Sequence, residues 1–192
     1  MEAIALRGVF SKQPPLAKVG SLRERAQQHL DRGAVTAGYG ADRENVIEAL
    51  NEALATELVC VLRYKRHYFM AAGIQATPVA ARFLDHAAAE MAHVDLLARR
   101  IIELGGEPNF SPDGLAARSH AEYVEGHSLK SMITENLIAE RIAIESYREV
   151  IASLRDQDPS TRRMLEDILA SEEAHAEDLS SLLKDVKGYG KG

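Results

Sequence analysis

Two short segments of the chain carry the same pair of potential metal ligands at the same spacing. Glu90 and His93 are three residues apart, and so are Glu172 and His175. Residues three apart in an α-helix lie on one face, about one turn from each other, so each pair could hold one metal ion. A single pair of this kind is a weak indication, because helices are rich in both residues. Its repetition is what favours a metal site.

A second repeated pattern precedes these pairs. One glutamate precedes Glu90 and another precedes Glu172 at nearly equal distances along the chain, and a tyrosine follows each of them seven residues later. Seven residues are close to two full helical turns, so each tyrosine should lie nearly above its own glutamate. The upstream residues are Glu57 with Tyr64 and Glu140 with Tyr147. The chain thus contains two copies of the pattern Glu…Tyr…Glu-x-x-His.

The segments that carry these residues are predicted to be four long helices. Apolar residues recur at spacings of three and four from Val46 onward, and Gly73 ends the first helix. Thr77-Pro78 and Asp158-Pro159 are typical helix starts, in which a capping side chain precedes a proline. The predicted helices span residues 42–71, 77–104, 128–155 and 159–183.

The lengths of the connections predict how the helices are arranged. The first and third connections are short, whereas residues 105–127, which include Pro108, Pro112 and Gly114, are too long for a hairpin turn. The predicted fold class is therefore all-α, a four-helix bundle in which two antiparallel helix pairs are joined by a long crossover. In such a bundle, each helix would bring one of the four ligand segments to the centre.

Four inward-facing glutamates need a partner charge. In a bundle core they would repel one another and lose their hydration, so without a partner they would have to take up protons. Two histidines cannot neutralise them, but two divalent cations carry the positive charge that matches four carboxylates. The predicted metal ligands are Glu57, Glu90, His93, Glu140, Glu172 and His175. Carboxylate oxygens with one imidazole per ion suit iron, and Mn²⁺ or Zn²⁺ could occupy the same positions.

Composition excludes several other classes of protein. With 192 residues, 46% of them hydrophobic, the chain is long enough for one buried core, predicted to span residues 41–185. Cys60 is the only cysteine, so no intrachain disulfide is possible and a reducing compartment is expected. No apolar stretch approaches the length of a membrane span, and no secretion signal follows Met1. A cytoplasmic protein without membrane contact is predicted, with a flexible C-terminus at residues 186–192.

Residues 1–40 differ from the rest and are predicted to form an N-terminal extension, as an arm or a tail. They contain five glycines and Pro14-Pro15, and only residues 22–30 could form a short helix. An excess of basic residues gives this segment a local charge of +3. Binding to DNA phosphates is conceivable but not favoured, because the whole chain carries a net charge of −6. A subunit-packing arm or a disordered extension is the preferred interpretation.

Residues 45–184 resemble the ferritin-like superfamily, and most closely bacterioferritin and the Dps-like miniferritins with a bacterioferritin-type site. The resemblance implies a ferritin-like four-helix bundle that holds two iron ions per subunit. The segments that carry it are NEALATELVCVLRY (51–64), EMAHVDLLARRIIE (90–103), LIAERIAIESYRE (137–149) and LASEEAHAEDL (169–179).

The resemblance also implies a role for each predicted ligand. Glu90 and Glu172 would bridge the two irons. The other ligands would each bind one ion, in the pairs Glu57 with His93 and Glu140 with His175. Tyr64 would support a ligand through a hydrogen bond. No such role is implied for Tyr147, which is expected to serve packing only.

Two features bear on assembly and on haem. Bacterioferritin subunits end in a short fifth helix at the fourfold axis of a 24-subunit cage, but here the segment after His175 is too short to add such a helix. A 12-subunit shell is therefore favoured over a 24-subunit one, with a dimer as a further alternative. Met91 matches the methionine that binds haem b between two bacterioferritin subunits. It could bind haem at a dimer interface or simply pack there.

The function implied by the resemblance is that of an iron-storage and detoxification ferroxidase. Such a protein oxidises Fe²⁺ with H₂O₂ or O₂, deposits ferric mineral inside a protein shell and protects against oxidative stress. Two alternatives stay open: a substrate-oxidising di-iron enzyme of the same fold, and a DNA-binding shell protein with a subsidiary metal site. His86, one helical turn before Glu90, could support a ligand of the site, act as an entry ligand, or be an ordinary histidine.

Overall fold

The computed structural model describes residues 19–73 and 76–188, and within these ranges the chain is helical without strands. The α-helices found there are α1 (Val19–Ala26), α2 (Arg43–Met70), α3 (Ala76–Glu103), α4 (Leu115–Arg118), α5 (Leu129–Leu154) and α6 (Pro159–Gly188). The four long helices form the bundle, in which α2 packs along α3 and α5 packs along α6. The predicted all-α four-helix fold is confirmed.

The predicted helix bounds agree with the observed ones to within one residue at all but one end. The exception is α6, which continues to Gly188 instead of ending near Leu183. Residues 184–187 contain neither glycine nor proline, so nothing in the sequence stops the helix before Gly188. Residues 186–188, predicted to belong to a flexible C-terminus, are therefore helical, and residues 189–192 lie outside the described residues.

Side-chain caps fix the starts of three bundle helices. The Asp42 carboxylate accepts a hydrogen bond from a backbone N–H in the first turn of α2. At α5, Ser128 and Ser131 cap reciprocally, each side chain accepting from the backbone N–H of the other. At α6, Asp158 accepts from the Thr161 N–H at 2.9 Å. These bonds satisfy donors that helix starts leave without partners, and they set the register of the ligand residues along the bundle.

The interior of the bundle is filled by fully buried apolar side chains from all four long helices. Each such side chain contributes about 1.5–3 kcal/mol relative to exposure. Cys60 lies among them, in the core cluster that also contains Phe83. Within the described part of the chain, none of the helices is long and apolar enough to cross a membrane.

The crossover between α3 and α5 is fixed to α2 by buried polar groups. The Arg63 guanidinium donates to the Glu122 carbonyl at 2.8 Å and to the Asn136 side chain of α5 at 2.9 Å. His67 lies 2.9 Å from the Glu125 carbonyl and 3.1 Å from Asn136. Arg63 and His67 are almost fully buried, so these bonds satisfy groups that would otherwise be costly to bury. These two side chains of α2 therefore hold both the crossover and α5 in place against α2.

The chain divides between Gly38 and Tyr39 into two compact units. In the first unit, α1 has no buried residue and ends with basic side chains. The short helix predicted at residues 22–30 is found a few residues earlier, at Val19–Ala26. The assignment of this unit as an arm stays a prediction, and part of it, residues 1–18, lies outside the described residues.

Candidate metal centre

The four long helices bring all six predicted ligand residues together inside the bundle. The four glutamates, one from each helix, are at most 1% exposed, which is rare for a side chain that can carry a charge. One histidine from α3 and one from α6 join them. The residues are Glu57 of α2, Glu90 and His93 of α3, Glu140 of α5, and Glu172 and His175 of α6.

The six side chains form two overlapping groups, together called the dinuclear centre below. In each group, one ligand atom from each of four residues lies within 4.8 Å of the others, close enough for one metal ion to bind them all. Glu90 and Glu172 belong to both groups. The first group is completed by Glu57 and His93, and the second by Glu140 and His175. The arrangement suits two adjacent ions that share two carboxylates.

Each of the two shared carboxylates turns one of its oxygens towards His93 and the other towards His175. Glu90 Oε2 lies 3.0 Å from His93 Nδ1, and Glu90 Oε1 lies 3.2 Å from His175 Nδ1. Glu172 Oε1 lies 2.8 Å from His93 Nδ1, and Glu172 Oε2 lies 3.7 Å from His175 Nδ1. A carboxylate whose oxygens are divided in this way can bridge two ions.

The other two glutamates are each held by a tyrosine. Tyr147 of α5 donates its hydroxyl hydrogen to Glu57 Oε1 of α2, and Tyr64 of α2 donates to Glu140 Oε1 of α5. The second oxygen of each glutamate faces the histidine of its own group, at 3.8 Å for Glu57 and 3.9 Å for Glu140. Each tyrosine thus fixes a carboxylate so that one oxygen remains for a metal ion.

The contact of Tyr147 corrects an expectation. From the sequence Tyr147 serves packing only, whereas in the structure it is hydrogen-bonded to a candidate ligand. The only sequence signal for this role was the seven-residue spacing from glutamate to tyrosine, which Tyr147 shares with Tyr64. That spacing places each tyrosine near the glutamate of its own helix. In the structure, each tyrosine instead reaches across to the glutamate of the neighbouring helix.

Three buried ligand atoms have no hydrogen-bond partner among the described residues: Glu90 Oε1, Glu172 Oε1 and His175 Nδ1. Each lies close to an opposing ligand atom, but without the alignment of a hydrogen bond. An unsatisfied buried polar atom costs about 1–3 kcal/mol, and metal coordination would remove that cost. Carboxylate oxygens with imidazole nitrogens fit Fe²⁺ or Mn²⁺, and the same donors also accept Zn²⁺.

Crowding shifts the pKa values of these groups. Burial, followed by the charges of neighbouring glutamates, raises the pKa of Glu90 well above its usual range. Burial also raises the pKa of Glu140, to about 7. For Glu172, burial and the charge of Glu57 act to raise the pKa, but the two nearby histidines lower it overall. Burial alone would lower the pKa values of His93 and His175, but the adjacent glutamates raise both to about 12.

Protons therefore take the place of metal ions in balancing the charge of the dinuclear centre. The raised pKa values of His93 and His175 make both rings imidazolium ions at pH 7, and the raised pKa of Glu90 favours its neutral form. A ligand atom has to lose its proton before it can bind a metal ion. Loading the centre with metal consequently means exchanging bound protons for cations.

Met91, the predicted haem ligand, lies apart from this buried centre. Its side chain is 41% exposed on the surface of α3, although its neighbour in the sequence, Glu90, is fully buried. Adjacent residues on a helix point about 100° apart, which accounts for the difference. Haem binding at a dimer interface stays a prediction.

The fold and the donor residues together define a class of protein. A four-helix bundle with one glutamate from each of two helices and a Glu-x-x-His pair from each of the other two is the known arrangement of ferritin-like carboxylate proteins. The Ferritin family, described as a ferritin-like domain, matches residues 47–188. The chain belongs to this family, and the resemblance noted in the sequence is confirmed.

Similar proteins cover most of the chain. A bacterioferritin of Desulfovibrio desulfuricans is 30% identical over 156 residues, which are 80% of this chain and 83% of that protein. A nutrient stress-induced DNA-binding protein of a Synechococcus species is 30% identical over 141 residues, which are 72% and 80% of the two chains. Among solved structures, a dodecameric thioferritin of Bacteroides fragilis, a bacterioferritin-related protein, has a TM-score of 0.76 and 30% identity. It covers 79% of this chain and 92% of its own.

Proposed function

We propose that this chain is an iron-storage and detoxification ferroxidase, which binds substrate Fe²⁺ at the two overlapping ligand groups and oxidises it with H₂O₂ or O₂. The observation that carries the proposal is the pair of shared carboxylates. Glu90 and Glu172 each turn one oxygen towards His93 and the other towards His175, an arrangement that holds two ions side by side. Two adjacent Fe²⁺ ions can deliver two electrons to one oxidant molecule, which a single Fe²⁺ cannot do.

The chain's own residues hold the substrate and favour its oxidation. Two Fe²⁺ supply two electrons, which with two protons reduce H₂O₂ to two waters, or O₂ to H₂O₂. Each ion position receives carboxylate oxygens and one imidazole nitrogen. The carboxylates stabilise Fe³⁺ more than Fe²⁺, because their attraction grows with the charge of the ion. Tyr64 and Tyr147 keep the carboxylates of Glu140 and Glu57 in position while the charge of the ion changes.

Storage of the oxidised iron in a shell is the second part of the proposal. A bacterioferritin and a dodecameric thioferritin are similar to this chain at 30% identity, which supports a homo-oligomeric container. We propose that ferric ions leave the dinuclear centre and form mineral inside such a shell. Consuming Fe²⁺ and H₂O₂ together would protect against oxidative stress, and the proposed location is the cytoplasm.

Titration with Fe²⁺ tests the proposed activity. Metal-free protein is loaded with Fe²⁺ under anaerobic conditions and mixed rapidly with H₂O₂ or O₂, while near-ultraviolet absorbance follows the formation of Fe³⁺. We expect a fast phase that grows until two Fe²⁺ per chain are present and does not grow further. Comparing the two oxidants also identifies the preferred one. A fast phase that saturates at one Fe²⁺ per chain, or its absence, would contradict the paired positions.

Light scattering tests the proposed assembly, because a 12-subunit shell has half the mass of a 24-subunit cage. The measured mass is divided by the 21.0 kDa mass of one chain to give the number of subunits. The expected result is twelve, as in the dodecameric relative. A result of twenty-four, together with a haem absorption band, would instead favour a haem-bearing cage and a ligand role for Met91.

DNA binding is a second candidate function, and two observations favour it. One relative at 30% identity is named as a DNA-binding protein, and α1 carries basic residues in its last turn, Arg23 and Arg25. Against it stands the net charge of −6, which repels phosphate. DNA is therefore a less favoured partner than Fe²⁺ in this proposal, and the substrate-oxidising alternative has no specific support from the site.

A further inference from the structure

His86 and Asp178 break the symmetry between the two copies of the ligand pattern. His86 lies one helical turn before Glu90, and Asp178 lies three residues after His175. The corresponding positions in the other copy hold the aliphatic residues Ile168 and Leu96. The chain thus adds a histidine and a carboxylate beside one half of the dinuclear centre only.

The added pair connects the dinuclear centre with the surface. The His86 ring is 6% exposed and stacks on the His175 ring, with centroids 4.2 Å apart. Ligand atoms of His86, Glu140 and His175 lie within 4.8 Å of one another. The Asp178 side chain is 29% exposed, and its Oδ1 lies 3.8 Å from the exposed Arg82. Its Oδ2 points inward, towards His86.

The hydrogen bonds of Tyr64 determine which nitrogen of His86 carries a hydrogen. The Tyr64 hydroxyl donates its only hydrogen to Glu140, so towards His86 Nδ1, 3.1 Å away, its oxygen can only accept. His86 Nδ1 therefore carries the hydrogen, and in the neutral ring Nε2 keeps a free lone pair. A histidine that donates from one nitrogen and keeps the other free is the form that binds metal ions.

The free nitrogen of His86 faces a carboxylate oxygen. Nε2 lies 3.3 Å from Asp178 Oδ2, and this buried oxygen has no hydrogen-bond partner among the described residues. Two acceptor atoms at this distance repel each other unless a cation lies between them. Ligand atoms bound to one ion at about 2.1 Å each lie about 3.0–3.4 Å apart, which matches the observed separation.

We propose that His86 Nε2 and Asp178 Oδ2 form a third divalent-cation position, through which Fe²⁺ passes between solvent and the dinuclear centre. The proposal rests on the function proposed above. The position has the partly exposed Asp178 on one side and the His175 ring on the other. Two protein ligands hold an ion less firmly than the four of each group in the centre, so the ion can move on.

Cobalt binding tests the third position, because Co²⁺ binds the same ligands as Fe²⁺ but is not oxidised during the experiment. Crystals of the full chain are soaked in Co²⁺, and anomalous scattering counts and locates the ions. We expect three ions per chain, one of them between His86 and Asp178. The variants Asp178→Asn and His86→Gln should each lose that ion and keep the other two. Glu177→Gln, an equal change of charge at an exposed neighbour, should keep all three.

The outcomes separate the two proposals. Two ions confined to the dinuclear centre would overturn the third position and leave the ferroxidase proposal intact, with His86 and Asp178 as an ordinary ion pair. Fewer than two ions in the centre would contradict the ferroxidase proposal itself. A third ion that persists in both variants would overturn the assigned ligands. If Fe²⁺ passes through the third position, the dinuclear centre of the Asp178→Asn variant should fill with Fe²⁺ about tenfold more slowly than that of the unchanged chain. An unchanged rate would overturn the transfer role.

Discussion

Fast Fe²⁺ oxidation is expected to slow by at least about a hundredfold when Glu90 and Glu172 are both replaced by alanine. Loss of a residue that merely supports a ligand typically costs about 10–100-fold, and here ligands themselves are removed. Because both side chains belong to both groups, the double variant Glu90→Ala/Glu172→Ala leaves each ion position with one glutamate and one histidine. Stopped-flow absorbance at two Fe²⁺ per chain measures the loss.

The matched control replaces one exposed glutamate on each of the same two helices. Glu103→Ala/Glu177→Ala makes the same chemical change on α3 and α6 and should keep the fast phase. Circular dichroism should show the same helix content in both double variants, since removing two mutually repelling buried carboxylates does not break the bundle. Equal oxidation rates in the two double variants would contradict the assignment of Glu90 and Glu172 as shared ligands.

The affinity for two Co²⁺ ions is expected to rise at least about a hundredfold for each pH unit above pH 7. The pKa values of about 12 for His93 and His175 mean that both rings carry a bound proton in the metal-free centre. Both protons must leave when two ions bind, so the overall constant varies with at least the inverse square of the proton concentration, and the raised pKa of Glu90 adds to this dependence. Below pH 7 the dependence should steepen, because the Glu140 carboxyl, whose pKa is raised to about 7, is then protonated too.

Calorimetry in buffers of different ionisation enthalpy counts these protons independently of the affinity. The heat of Co²⁺ binding should change with the buffer by an amount that corresponds to at least about two protons per two ions at pH 7.5. The exposed-glutamate control should release the same number. Binding that releases no protons would show that the histidines of the metal-free protein are neutral, and the charge balance described for the dinuclear centre would then be wrong.

The helices could be predicted closely because their signals are local. Apolar spacing, the cap at Asp158, and the glycines at the helix ends all act within a few residues of the position that they determine. The same holds for the ligand pairs, since each Glu-x-x-His lies on one helical turn. Their assignment as metal ligands stays a prediction, although the structure brings all six residues together.

Contacts between helices were not predictable in the same way. Whether Tyr147 reaches Glu57 depends on how far α5 is shifted along α2, and no residue within α5 encodes that shift. The buried Arg63 is a further example, because one of its partners is the backbone carbonyl of Glu122, and a carbonyl is present whatever the residue type. Asp178 also gave no signal, since an aspartate on a helix is usually exposed.

The crossover has a consequence for how the two halves of the centre can differ. Two identical hairpins, each carrying Glu…Tyr…Glu-x-x-His, could in principle build the same six-ligand arrangement as a symmetric dimer. In such a dimer every substitution appears twice, so the two ion positions would always be equivalent. Joining the hairpins in one chain lifts that restriction. Here His86 and Asp178 lie beside one position, and the corresponding residues of the other copy are Ile168 and Leu96, an inequivalence that two identical hairpins could not encode.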